Sequence, residues 1–261
     1  MIRIGLIGFG RTGKLVAQEI IKDPECTLVW VIKTHEVEED EFASHLLGFK
    51  QNEGRFFTKS IFTDIQSFVA QNFVDVVIDF SDKSAICEYQ SVAKLGVRIV
   101  TAISNYSPRE ISLIKDLSQK TAIVLSPNIT LGINFLIVIS KILRKIAKEA
   151  DVEIVEEHFR DKAEVSGTAL KIAEQLGLDK QKHVNSIRVG GIVGKHEVIF
   201  GLPNQTIRVI HESHNRAAFG RGAIFAAKWL MSKNTGLYSM ENIIREEFVT
   251  SLDDEIQSLK A

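Results

Sequence analysis

Ile2-Arg3-Ile4-Gly5-Leu6-Ile7-Gly8-Phe9-Gly10-Arg11-Thr12-Gly13-Lys14-Leu15-Val16 is the stretch from which the rest of the chain is read. Ile2–Ile7 is a short apolar run ending in glycine, the pattern of a strand buried on both faces. From Thr12 to Ile21 apolar residues recur at helical spacing, with Leu15, Val16 and Ile20 among them. The turn between them, Gly8-Phe9-Gly10-Arg11-Thr12-Gly13, matches G-x-G-x-x-G in the strand–turn–helix setting that gives the pattern its meaning. Gly8 permits a tight turn, Gly10 lets backbone approach a pyrophosphate, and Gly13 lets the helix pack close to the sheet. The first N–H groups of the helix then face an anion. This predicts a Rossmann-type dinucleotide-binding unit; the same residues also fit a tight strand–helix turn that holds no ligand.

Outward from that turn, strands and helices alternate. Thr27–Ile32 after Pro24, Asp75–Phe80, Val97–Ala102 and Thr121–Leu125 read as further strands. A helix is expected around Asp64–Asn72. Another starts at Ser107, which caps while Pro108 takes the first helical position and Glu110 closes a capping box. Such alternation implies right-handed βαβ units and a parallel sheet. The stretch from Glu36 to Thr63 is less regular and reads as a surface insertion. Cofactor choice is read at the end of the second strand, where an NAD site places Asp or Glu about 20 residues after the glycines. Here Lys33-Thr34-His35 stands there. Lys33 and Arg11 suit a 2′-phosphate and favour NADPH. Glu36 could still serve as the acidic partner, which keeps NADH open, and Lys33 also fits a plain solvated charge.

The pattern changes after Leu125. Pro127 and Gly132 interrupt the chain, a long helix is expected over Ile133–Ala150, and period-two segments follow at Val152–Phe159, Ile187–Val193, Glu197–Phe200 and Thr206–His211. Among them lies one helix, Thr168–Leu176, stopped by Gly177. The expected fold class is therefore α/β: a cofactor domain of residues 1–126 with 222–261, and a smaller α+β domain of residues 127–221 with an open mixed sheet. The tail from Arg245 spaces Phe248, Leu252, Ile256 and Leu259 as an amphipathic helix packed on the body or on a neighbour.

Composition narrows the function classes. The 261 residues are 45% apolar and 25% charged, ordinary for a globular protein. The formal charge of −1, from 32 basic and 33 acidic residues, offers no global excess for nucleic acid or a membrane surface. Cys26 and Cys87 make neither a disulfide framework nor a cysteine zinc site, and read as two buried thiols in a reducing compartment. No apolar run of about 18 residues predicts a membrane span, and the first residues are too short a run for a signal peptide. A cytoplasmic enzyme or binding protein is expected, with no metal: His196, His211 and His214 lack ligand spacing and default to core or surface histidines.

The second segment with chemical content is Glu156-Glu157-His158-Phe159-Arg160-Asp161-Lys162-Ala163-Glu164-Val165-Ser166-Gly167-Thr168. A strand ends near Phe159 and a helix begins with Ser166 as its cap. Ser166, Gly167 and Thr168 thus offer hydroxyls and N–H groups at a helix N-terminus, a place for a carboxylate or phosphate. His158 and Lys162 stand just before it, residue types that carry a proton near neutral pH when their surroundings allow. The combination suits an anionic substrate that accepts hydride and a proton. It also fits a capped helix after a charged loop with no catalytic part.

From Ile2 to about Ile244 the chain resembles the dihydrodipicolinate (4-hydroxy-tetrahydrodipicolinate) reductase family of lysine and diaminopimelate biosynthesis. The resemblance is carried by Asp79-Phe80-Ser81, by Ser126-Pro127-Asn128-Ile129-Thr130-Leu131-Gly132-Ile133-Asn134 and by His158 to Thr168 against the family's His-His-x-x-Lys-x-Asp-Ala-Pro-Ser-Gly-Thr. Ile187–Val198, Phe219-Gly220-Arg221-Gly222-Ala223 and Gly236-Leu237-Tyr238-Ser239-Met240 carry it further. It implies NAD(P)H-dependent reduction of the C=N bond of a cyclic imine dicarboxylate to tetrahydrodipicolinate, in a homotetramer built through sheets of the second domain. By position it implies acid/base or orienting work for His158, proton donation for Lys162, and a carboxylate held by Ser166, Gly167 and Thr168. Gly8, Phe9, Gly10, Arg11, Thr12, Gly13, Lys33, Phe80, Thr101, Ser104 and Asn128 would surround the cofactor, and the two domains would close over the imine.

Three positions depart from the pattern. The second histidine is Phe159, the loop after Lys162 is one residue shorter and lacks proline, and a Gly-Thr-Thr-Gly turn appears as Thr101-Ala102-Ile103-Ser104. These departures fit drift in a working reductase. They also frame two other readings: a paralogous reductase of a different imine or keto acid, and a non-catalytic nucleotide-binding homologue, against which the retained His158 and Lys162 speak.

Overall fold

The computed structural model describes residues 1–33 and 41–259; Thr34, His35 and Glu36, considered above beside the ribose, lie outside the described residues. The chain forms two compact units, Met1–Thr130 with Ala217–Ile243, and Leu131–Arg216 with the chain from Ile244 onward. Of the C-terminal part, only Ala217–Ile243 groups with the first unit.

In chain order the first unit begins with strand β1 (Ile2–Ile7), helix α1 (Arg11–Lys22), β2 (Cys26–Lys33), α2 (Ala43–Leu46), β3 (Arg55–Thr58), α3 (Ile65–Gln71) and β4 (Val76–Asp79). Helix α4 (Ala85–Tyr89), β5 (Arg98–Thr101), α5 (Pro108–Ser118) and β6 (Ala122–Leu125) follow. The second unit holds α6 (Leu131–Ile146), β7 (Asp151–His158), α7 (Gly167–Leu176), β8 (Val184–Arg188), β9 (Lys195–Leu202) and β10 (Gln205–Glu212). The chain then returns through α8 (Ala217–Leu230) and β11 (Gly236–Tyr238) to α9 (Met240–Ser258).

The first unit's seven strands run parallel in the order β11-β6-β5-β4-β1-β2-β3. Side chains alternate between two cores. Ile4, Leu6, Val76 and Ile78 pack with Val16 and Ile20 of α1 and Ala223 and Ala227 of α8. Ile7, Trp30 and Val77 pack with Val69 of α3, Ile86 of α4 and Ile114 of α5. Burial on both faces explains why the strands read as unbroken apolar runs. The capping box of α5 forms as expected: Ser107 N–H donates to Glu110 at 2.6 Å and Glu110 N–H to Ser107 Oγ at 3.5 Å.

Two strands escaped the sequence reading. The stretch taken as a surface insertion contains β3, paired in parallel with β2, and Ala43 and Ser44 of α2 are buried. The three residues of β11 are too few to show a period. Cys26 is buried, and desolvation pushes its thiol up to about 12, whereas Cys87 is only half-buried.

The second sheet has the order β10-β9-β7-β8, with β7 parallel to β8 and antiparallel neighbours elsewhere. Val152, Ile154, Val198 and Phe200 face Ile137 of α6 and Ile172 of α7. The strand expected at Ile187–Val193 ends instead at Arg188. Gly190 takes φ of +52° in the turn that follows. Ile187, Val189 and Val193 are more than two-fifths exposed, so their alternation imitated a half-buried strand. Helix α9 forms as expected, yet Val249, Leu252 and Ile256 along it stay exposed.

Candidate active site

Strands β1 and β4 are neighbours, with Ile7 paired to Asp79, and strand order reverses there: β2 and β3 lie to one side, β5 and β6 to the other. Ligands of open parallel sheets bind outside the carboxyl ends of strands at such a switch point. Gly8 takes φ of +98°, and a Cβ on it would lie 2.7 Å from the Phe80 carbonyl group. Phe80 N–H closes the approach by donating to the Ile7 carbonyl at 2.9 Å. A Cβ on Gly13 would lie 2.2 Å from the Gly8 carbonyl oxygen, so the helix approaches this closely only with glycine. A Cβ on Gly10 meets nothing within 4 Å, which leaves the space before the turn open. Helix α1 has no side-chain cap from Gly10 and no acid in its first turn. A cradle of this shape, with first-turn N–H groups that have no acceptor among the described residues, fits a pyrophosphate.

The remaining first-unit positions surround this turn unevenly. Arg11 is exposed and Thr12 half-buried. The Phe9 ring meets Phe56 edge-on at 5.0 Å, and the Lys33 ammonium lies 4.7 Å from the same Phe56 ring. Phe56, on the strand missed from sequence, therefore ties Lys33 to the glycine turn. After β4, buried Asp79 accepts from Ser81 N–H at 2.9 Å, Ser81 hydroxyl at 2.5 Å and Tyr89 hydroxyl at 2.7 Å. Burial lifts its carboxyl to about 6 against those bonds. Thr101 is buried, with its hydroxyl 2.8 Å from that of Tyr106, while Ser104 is exposed. Asn128 is half-buried; its carbonyl accepts from Ser126 hydroxyl and its side-chain oxygen from Thr130.

The second unit gathers the other candidates at the carboxyl end of β7. The inward face of β7 runs Val152, Ile154, Glu156, His158, so an apolar row turns polar. Register sets His196 of β9 and Ser186 of β8 on either side of Glu156, and Arg188 beside His158. The Glu156 carboxylate has no exposed surface; it receives Arg188 at 2.6 and 2.9 Å, Ser186 hydroxyl at 2.7 Å, Ser166 N–H at 3.1 Å and His158 Nδ1 at 2.5 Å. Desolvation alone would raise this carboxyl, but the Arg188 guanidinium, the two serines and His158 bring it down to about 2.

His158 Nε2 lies 3.0 Å from where a Cβ on Gly194 would stand and makes no hydrogen bond among the described residues. Ser166 hydroxyl pairs with His196 Nε2 at 2.8 Å, so it leaves the start of α7 without a side-chain cap. Burial, reinforced by His158 and His211, lowers His196 to about 4 and keeps it neutral near pH 7. Lys162 is half-buried, and its ammonium makes no ion pair or hydrogen bond among the described residues. Exposed Gly167 and half-buried Thr168 open α7.

The unit thus brings an imidazole nitrogen, a primary ammonium and an uncapped helix N-terminus to one strand end, a set able to hold an anion and deliver a proton. Sequence reasoning missed Ser186 and Arg188 and left His196 as a default histidine. Strand parity was the available signal: it places Glu156 inside with Val152 and Ile154, and a buried carboxylate needs partners.

The comparisons agree over nearly the whole length. Residues 2–129 match the family described as dihydrodipicolinate reductase, N-terminus, and residues 132–244 match dihydrodipicolinate reductase, C-terminus. The chain is 32% identical to the 4-hydroxy-tetrahydrodipicolinate reductase of Buchnera aphidicola subsp. Acyrthosiphon pisum (strain Tuc7), covering 93% of this chain and 97% of that protein. It is also 32% identical to the enzyme of the same name from Caldanaerobacter subterraneus subsp. tengcongensis, covering 94% and 99%. A solved structure described as dipicolinate-bound dihydrodipicolinate reductase from Paenisporosarcina sp. TG-14 shares the fold, with a TM-score of 0.75 at 21% identity over 93% of this chain and 99% of that one. The chain belongs to the dihydrodipicolinate reductase family.

Proposed function

We propose that this chain is a cytoplasmic enzyme of lysine and diaminopimelate biosynthesis that converts 4-hydroxy-tetrahydrodipicolinate to tetrahydrodipicolinate with NAD(P)H: the 4-hydroxyl leaves as water, and the conjugated dihydrodipicolinate ring so formed takes up one hydride and one proton. The observation that carries the reading is the cluster at the end of β7: His158 Nε2 and the Lys162 ammonium without partners among the described residues, beside a start of α7 that Ser166 does not cap with its side chain. When bound, a reduced nicotinamide dinucleotide supplies the hydride. Gly8, Phe9, Gly10, Arg11, Thr12 and Gly13 would hold its pyrophosphate, and Phe80, Thr101, Ser104 and Asn128 would border the rest of it. Lys33 and Arg11 favour the 2′-phosphate of NADPH; a strong preference for NADH in kcat/KM would contradict those roles.

On the second unit, Ser166, Gly167 and Thr168 hold a substrate carboxylate against the positive end of α7. Hydride addition to the conjugated C=C–C=N system of that ring moves electron density onto the ring nitrogen, and Lys162 donates the proton that nitrogen takes before the enamine tautomerises to the product imine, contributing roughly 10²–10⁴-fold. His158 orients the substrate and exchanges a proton at Nε2. The helix-free face of the second sheet carries Ile187 and Ile210, 43% and 53% exposed, and forms the contact of a homotetramer.

Purified protein, supplied with the product of dihydrodipicolinate synthase and NADPH, tests the reading. The expected result is cofactor oxidation that Lys162→Ala slows by roughly 10²–10⁴-fold, with cofactor affinity unchanged. Full turnover by that variant overturns the donor role, and an inert wild type overturns the substrate. One observation favours a second reading: Phe159, next to His158, is 41% exposed. An apolar ring there suits a less polar substrate, so the same assay includes other cyclic imines and keto acids.

A further inference from the structure

The most deeply buried carboxylate of the second unit has no part in the chemistry above. Glu156 accepts hydrogen bonds from Arg188, Ser186, Ser166 N–H and His158 Nδ1 and has no exposed surface. The Arg188 guanidinium meets it with two nitrogens, at 2.6 and 2.9 Å, the geometry of a bidentate ion pair. An ionised carboxylate only accepts, so His158 Nδ1 must be the donor in their 2.5 Å contact. The Nδ1 proton then stays in place whichever charge the ring carries, and Nε2 is the atom left for the substrate. Gly194 leaves room on that side, since a Cβ there would come within 3.0 Å of Nε2.

Arg188 extends the same device to the next loop. Its Nε donates to the Lys162 carbonyl at 2.9 Å, and an outer nitrogen donates to the Glu164 carbonyl at 2.9 Å. The guanidinium therefore anchors the backbone that carries Lys162, in a loop whose sequence Lys162-Ala163-Glu164-Val165-Ser166 contains no proline to stiffen it. Ser166 N–H, bonded to Glu156 at 3.1 Å, ties in the start of α7.

We infer that Glu156, clamped by Arg188, is a positioning residue for the reduction: it fixes the ring and tautomer of His158 and, through Arg188, the loop presenting Lys162. The inference rests on the roles of His158 and Lys162 proposed above. A carboxylate that served only as a counter-ion for Arg188 would affect stability and leave the imidazole tautomer unchanged.

Nitrogen-15 NMR of the full chain labelled in histidine separates these cases without any cofactor. The His158 signals are assigned by their loss in His158→Gln. In the wild type, the neutral ring of His158 is expected to carry its proton on Nδ1, with Nε2 bare. In Glu156→Gln that preference is expected to disappear, with kcat lower by roughly 10²-fold or more, as when an imidazole loses the carboxylate that sets its tautomer. The cofactor dissociation constant is expected to stay unchanged. Arg188→Lys, which keeps the charge but loses the fork and the carbonyl anchors, is expected to lower kcat while His158 remains protonated on Nδ1. A wild-type His158 whose neutral ring carries its proton on Nε2 and leaves Nδ1 bare overturns the inference even if Glu156→Gln fails to fold. So does a folded Glu156→Gln with unchanged tautomer and kcat. A wild type inert on the imine overturns the proposed reaction instead, while the tautomer still reports on the pairing of Glu156 with His158.

Discussion

Gly10→Ala separates a ligand-binding turn from a merely tight one. Gly10 has φ of −78° and ψ of −164°, extended backbone that alanine adopts without strain. It is exposed, and its added Cβ would meet no protein atom within 4 Å. A glycine-to-alanine change at a compatible position stabilises by about 0.4–1 kcal/mol, chiefly by restricting the unfolded chain. The melting temperature should therefore hold or rise slightly. The methyl group instead enters the space from which the α1 N-terminus addresses a pyrophosphate. Losing one hydrogen bond to a charged oxygen costs about 1.5–3 kcal/mol. At 1.4 kcal/mol per tenfold, that is a Kd raised roughly 10- to 150-fold. Calorimetric titration with NADPH, paired with a thermal melt, reads both effects. Gly13→Ala provides the contrast: its Cβ would collide with the Gly8 carbonyl at 2.2 Å, so melting temperature and affinity should fall together. Wild-type affinity in a folded Gly10→Ala variant would refute the placement of the pyrophosphate, and a large loss of stability would refute the openness of the turn.

Gly194→Ala would press a methyl group against His158 Nε2 at 3.0 Å; kcat should fall about tenfold or more while cofactor affinity stays, and unchanged kcat would show that Nε2 is idle. His196, held at about 4 by burial and by His158, refuses a proton that the unfolded chain binds below its ordinary 6.5. Folding stability should thus fall as pH drops from 6.5 toward 4, by on the order of 3 kcal/mol at the acid end. Asp79, raised to about 6, acts in the opposite sense between 3.8 and 6, so the difference between wild type and His196→Gln isolates the histidine. Denaturant midpoints across that range should be flatter for His196→Gln, and parallel curves would exclude His196. Ile210→Glu places a charge on the exposed face of the second sheet; light scattering should show a smaller assembly, and an unchanged mass would remove that face from the contact.

The strands of the first unit were legible because a parallel sheet covered on both faces needs unbroken apolar runs, and Ile2–Ile7 and Asp75–Phe80 supply them. Strand β3 was hidden because Arg55-Phe56-Phe57-Thr58 is short and lies in an irregular stretch, although pairing with β2 lets it brace Lys33 through Phe56. The opposite error arose at Ile187–Val193, where alternation without burial mimicked a strand across a glycine turn. Proposed site residues close in sequence, such as His158, Lys162 and Ser166, were visible from their order before a helix. Arg188 and His196 were not, because register across β7, β8 and β9 brings them to Glu156, and a long-range pairing leaves no local trace.

In the proposed reaction, hydride passes from a reduced nicotinamide to the dihydrodipicolinate ring on this chain. The most direct measurement supplies the synthase product with NADPH deuterated at both C4 positions and weighs the tetrahydrodipicolinate by mass spectrometry. The product is expected to carry the deuterium and to form far more slowly with Lys162→Ala. Product that forms without the label, or a ring that remains unreduced while another imine or keto acid takes the deuterium, would contradict the proposed reaction.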